Sequence, residues 1–216
     1  MAMLEDLEKI DSGLIDAAQS LFSACDASLY PADVLAIAVA NRALSLLNGF
    51  LLLVRNGGYI AAAGILRMQL DNVLRLSGVT AAADPHDVAN QIINGKPLSK
   101  IKDAQGQNMR DARLREVAVA RLPWAEKVYS LSSGYVHLSE QHILHVLQRS
   151  PLNADGQREL SIGSDDAYLN EDQREDLVAT FHTVTLEVIA TIEAWKKHRV
   201  TNPEKERLQA RYKNAV

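Results

Sequence analysis

Two polar stripes in this sequence carry the residue types used by acid–base and anion chemistry. Arg67, Asp71 and Arg75 recur at intervals of four within an apolar stretch, and so do Tyr129, Ser133 and His137. On a helix, that interval keeps side chains on one face. An arginine there offers a planar fork of donors to a phosphate or carboxylate. A histidine titrates near neutral pH and can move a proton. If the stripes meet, Arg67 and His137 form the catalytic pair that metal-free RNA cleavage needs, a cation for the crowded phosphate beside a proton-transfer group. Asp71, Arg75, Tyr129 and Ser133 would then be its binding surroundings. The same pattern suits a second reading, a buried network that fixes helix register and binds nothing. Asn41, Ser45 and Asn48 make a third, weaker stripe.

Other chemistry finds less support. His137, His142 and His145 cluster around Glu140. The spacing is imprecise for a metal, and on a strand His142 and His145 would point to opposite faces. No metal site is expected, and with no phosphate-cradling loop, nucleophile elbow or dinucleotide fingerprint, no cofactor either. Cys25 is the single cysteine, so no internal disulfide or four-cysteine zinc site is available.

The elements that must position these stripes read as helices. Residues 4–24 place Leu4, Leu7, Ile10, Leu14, Ala17, Ala18 and Leu21 at helical spacing. Pro31 and a capping Asp33 open a second, apolar helix that Asn56-Gly57-Gly58 ends. A third runs from Tyr59 to about Val79. The short link between them implies an antiparallel pair. Asp84-Pro85 opens a shorter helix ending near Gly95, and 95–107 reads as a mobile loop. Helices follow from about 108 to 122 and from Trp124 to about His137. Over 142–163, two apolar runs flank Asp155-Gly156, which predicts a small β-hairpin appendage. Asn170 or Asp172 then caps a long helix to about His198. The fold class expected is all-α, an antiparallel bundle over 1–200 with a polar tail over 201–216.

Composition agrees. The 216 residues are 47% hydrophobic, 23% charged and only 5% aromatic, enough apolar material for one sizeable core. A net charge of -4 argues against a general nucleic-acid coat protein. Charge is uneven, with residues 96–127 carrying eight basic and four acidic side chains. Either these are solvated helix faces, or Arg110, Arg113, Arg115 and Arg121 form an RNA-contacting strip. The N-terminal region is acidic where a secretory signal is basic, and the most apolar stretch is interrupted by Asn41, Arg42, Ser45 and Asn48. No membrane partner and a cytoplasmic location are expected.

Tyr129-Ser130-Leu131-Ser132-Ser133-Gly134-Tyr135-Val136-His137-Leu138-Ser139 resembles a Y-x3-S-x-Y-V-H-x-S pattern of a bacterial family of unknown function. Gly64 to Asp71 resembles the same family's R-x3-E helix, with Asp71 where glutamate is usual. The family is similar to HEPN helical domains and AbiV-type abortive-infection proteins. That resemblance implies an all-α bundle, commonly a homodimer, that binds or cleaves RNA without metal in phage-defence or toxin systems. It also adds Ser139 to the binding residues. The active HEPN signature sets arginine four to six residues before histidine, whereas Arg121, the nearest arginine before His137, lies sixteen residues away. The alternatives are a non-enzymatic dimerising module, an accessory or antitoxin-like partner of another protein, and, third, a metal-dependent hydrolase.

Overall fold

A computed structural model describes residues 2–24, 28–148, 150, 152–160 and 169–212. These fold as an all-α bundle. Two short helices, α1 (Ala2–Glu8) and α2 (Ile10–Ala24), lead into the long α3 (Pro31–Arg55) and α4 (Tyr59–Thr80). Then come α5 (Pro85–Ile93), α6 (Asp111–Arg121), α7 (Trp124–Val136), α8 (Glu140–Gln148), α9 (Glu171–Arg199) and α10 (Asn202–Tyr212).

The helix ends follow local chemistry. Gly57 takes φ 74°, the left-handed turn that separates α3 from α4. Asp84 caps α5 by accepting the Asp87 amide at 3.0 Å. Asn170 and Gln173 form a reciprocal capping box at the start of α9, at 2.8 and 3.1 Å. Asp33 is not the cap of α3. Tyr30 is, and Asp33 sits three positions inside, its carboxylate accepting the Tyr30 amide at 2.9 Å.

α4 lies at the centre, packed against α3, α6, α7 and α9. Its Leu66, Leu70, Val73, Leu74 and Leu76 are buried with Phe50 of α3 and Phe181, Val184 and Val188 of α9. The Phe50 and Phe181 rings stack at 3.8 Å. Gly78 lets α6 come close, because a Cβ there would stand 2.3 Å from Leu114. By length and composition α3 and α9 could each cross a bilayer. In this bundle both turn a buried side to the core, and they pair through Asp33, Trp195 and Arg199.

The predicted hairpin over 142–163 is not formed. Residues 140–148 are helix α8, and one isolated bridge, Leu152 to Arg158, stands where a ladder was expected. Part of the predicted span, residues 149, 151 and 161–163, lies outside the described residues. The reason is physical. Ile143, Leu144 and Leu147 satisfy helical spacing as well as a strand run, and each segment beside the turn is too short to build a sheet. The turn signal itself was sound. Asn153 accepts the amides of Asp155 and Gln157 at 3.0 and 2.9 Å, and Gly156 takes φ 73°. The same device recurs at Asp103, which accepts the amides of Gln105 and Gln107, with Gly106 at φ 76°. That second turn belongs to a pinned segment, with Leu98 and Ile101 buried and Arg113 bound to Asp103 at 2.6 Å.

Candidate functional site

The stripe of α4 divides between two destinations. Asp71 accepts from Arg75 at 2.7 Å and lies 3.4 Å from Arg42 of α3. Arg42 also bonds Asn72, which continues inward through Gln69 to Thr185 of α9, each step 3.0 Å. Arg75 makes a further contact with Asp111 at 3.3 Å. Arg67 takes no part in this chain. Its guanidinium lies over the Tyr129 ring of α7, 4.0 Å from the centroid, with Arg115 at 4.9 Å from the same ring. Arg115 is also 3.4 Å from Glu126, whereas Arg67 has no carboxylate partner among the described residues.

The stripe of α7 makes mostly local bonds. Ser133 donates to the Tyr129 carbonyl at 2.7 Å, and Ser139 to the Gly134 carbonyl at 2.9 Å. His137 is the residue on which α7 ends. It is exposed, and among the described residues it has no hydrogen-bond or ion-pair partner. The structure therefore brings Arg67 to Tyr129 and Arg75 to Asp71, but it does not join His137 to Arg67. Since nothing in the fold leans on that imidazole, His137→Ala is expected to leave the melting temperature unchanged within about 1 °C, measured by circular dichroism.

The side chain of His145, one of the three clustered histidines, lies outside the described residues. Among the described residues, no group of three or more His, Cys, Asp or Glu side chains is placed to hold a metal ion. His142 accepts the Ser139 amide at 3.3 Å. Arg113 and Arg121 are engaged by Asp103, Glu116 and Glu187. Of the four arginines in the strip, Arg110 alone makes no ion pair among the described residues.

A second polar centre was missed by sequence reasoning. Asp33 is fully buried and accepts from Trp195 Nε1 at 2.9 Å and Arg199 Nε at 3.0 Å, besides the Tyr30 amide. The guanidinium of Arg199 also lies over the Tyr30 ring at 4.6 Å. Beside this centre, His86 of α5 is fully buried and accepts the Ala32 amide at Nδ1, 3.2 Å away. Its Nε2 faces Glu204 of α10 at 3.5 Å without forming a hydrogen bond. The helix α10 closes over it, with Leu208 buried and Arg207 and Arg211 set against Asp84.

Burial pulls the His86 imidazole down to about 4, against the opposing pull of Asp33 and Glu204, which favour the cation. An unfolded histidine titrates near 6.5. The unfolded chain therefore binds the proton first as pH falls, and this group's contribution lowers stability as pH drops from about 6.5 towards 4. Chemical denaturation across that window is expected to be flatter for His86→Gln than for the wild type. Parallel curves would contradict the assignment.

Comparison with protein-family models, with curated proteins and with solved structures returns no match to this chain.

Proposed function

We propose that this protein is a non-enzymatic helical pairing module that joins a second copy of itself through α8 and the end of α7. The observation that carries the reading is an apolar ridge. Leu131, Val136, Leu138, Ile143, Leu144, Val146, Leu147 and Leu152 all stand in solvent, Leu138 at 88% exposure. Among the described residues, α8 packs chiefly on α7. Together these side chains present on the order of 600–1,000 Å² of apolar surface. That exceeds the largest patch of an ordinary monomer and matches the ~800 Å² one partner gives to a stable interface. α8 itself carries one acidic residue, Glu140, and no lysine or arginine. Two copies can therefore pack it face to face without burying like charges.

Analytical ultracentrifugation at micromolar concentration is expected to show a dimer, and Leu144→Glu a monomer that keeps its helical spectrum. A wild-type chain that sediments as a monomer at 50 µM, a concentration about fifty-fold above a ~1 µM dissociation constant, would refute the pairing.

A second reading is a contact with RNA, supported by Arg67. This cation has no carboxylate partner among the described residues, lies over the Tyr129 ring, and is half-buried where a phosphate or a base could stack. Filter binding of single-stranded RNA by wild type and Arg67→Ala distinguishes it: equal retention removes the reading. RNA degradation in EDTA by the wild type and not by His137→Ala would restore the enzymatic version and displace the module.

A further inference from the structure

α7 ends on His137, and α8 begins three residues later. His137 therefore stands within the apolar ridge, between Val136 at 50% exposure and Leu138 at 88%. It is itself exposed, and among the described residues no carboxylate or hydrogen-bond partner holds it. In a single copy, water solvates this imidazole whatever its charge. A second copy laid on the ridge strips that water away, and a desolvated imidazole resists protonation.

His142 adds a constraint at the corner between the two helices. Its Nδ1 accepts the Ser139 amide at 3.3 Å, and its own amide donates to the Ser139 carbonyl at 3.1 Å. These two bonds tie the first turn of α8 to the segment that leaves α7. A ring nitrogen that accepts carries no proton, so this imidazole is neutral with its hydrogen on Nε2. A second proton turns Nδ1 into a donor facing another donor, and the tie is lost. The ring also stands edge-on to Tyr135 of α7, with centroids 6.2 Å apart, so displacing it loosens α8 from α7.

The other charged and titratable groups on these elements are Glu140 and His145 of α8, and Asp155, Arg158 and Glu159 of the turn beyond it. Arg158 is bonded to the Leu147 and Ser150 carbonyls at 2.7 and 2.6 Å, past the far end of α8 from His137. Glu140 makes no ion pair with His137 among the described residues. A two-fold interface presents the same side chains from both copies, so every imidazolium on the ridge is doubled within it.

We propose that acid switches this pairing off, with His137 and His142 as its proton-sensing groups. The inference rests on the pairing reading above and adds its regulation. The paired state holds both imidazoles neutral, so it binds fewer protons than the separate chains do. Pairing is therefore at full strength above the ordinary histidine range and weakens as pH falls through about 6.5. Each proton so excluded raises the dissociation constant by about tenfold per pH unit below that point.

Sedimentation equilibrium of the full chain at pH 7.5 and pH 5.5, at one ionic strength, tests the proposal. The wild-type dissociation constant is expected to rise at least thirtyfold between the two. The double variant His137→Gln with His142→Gln should pair at both, with a change under threefold. His137→Lys, which carries its charge at either pH, should pair at pH 7.5 no better than the wild type does at pH 5.5. Circular dichroism at each pH should show every chain still helical. A wild-type constant that moves less than threefold overturns the proposal, and so does a wild type that loses its helices at pH 5.5. A double variant as steep as the wild type, or a His137→Lys chain that pairs like it, has the same force. A dimer of equal strength at both pH values removes the switch and leaves the pairing reading standing, whereas a monomer already at pH 7.5 removes both.

Discussion

Replacing Asp33 with alanine is expected to remove about 3–5 kcal/mol of folding stability and to lower the melting temperature by roughly 10 °C. The carboxylate is fully buried and meets three donors, Trp195 Nε1, Arg199 Nε and the Tyr30 amide. Truncating it leaves the indole N–H unmet and strands the Arg199 charge, whose side chain is 3% exposed, in the interior. Buried ion pairs are poor net stabilisers but costly to halve. The double variant Asp33→Leu with Arg199→Met should therefore recover much of the loss that Asp33→Leu alone suffers. Urea denaturation of the set measures this, and a single variant within 1 kcal/mol of wild type would show the centre to be solvated.

Phe181→Ala should cost a similar amount, about 3–5 kcal/mol, by a different mechanism. Phe181 is fully buried and stacks on Phe50, where α3 and α9 meet over α4. Removing the ring takes apolar surface out of the core and leaves a void lined by helices that cannot close without sliding together. Phe181→Leu should lose less than half as much, because it returns most of the volume. If the two variants lost equal stability, aromatic stacking and not volume would dominate. Equilibrium unfolding of both decides the matter.

Local signals in the sequence were legible because their chemistry is short-ranged. The glycine stop at Gly57, the Asp84 cap and the Asn170 capping box need only neighbouring residues, and each stands where spacing placed it. The apolar faces of α2, α3, α4 and α9 were likewise readable from period alone. Asp33 was not. It sits at a helix start, where a carboxylate reads as a cap, and its decisive partners lie 162 and 166 residues away. Arg42 read only as an interruption in an apolar stretch, and it lies 3.4 Å from Asp71, which Arg75 binds at 2.7 Å. Periodicity shows which side chains share a face, not which faces meet. The stripes of α4 and α7 do touch, at Arg67 and Tyr129, but their contact ends before His137. The segment 140–148 failed for another reason, since its apolar run fits both periods and its length decides neither.

The pairing of Asp33 with Arg199 also sets a schedule for synthesis. The acid leaves the ribosome 166 residues before its base. At ~5–20 residues per second, the nascent chain waits on the order of ten to thirty seconds with an ionised carboxylate that cannot yet enter an apolar interior. Until then α3 has no counter-ion for its first turn and α4 lacks the helix that covers it. Early collapse around α3 and α4 must therefore stay reversible, and the last long helix commits the whole chain at once.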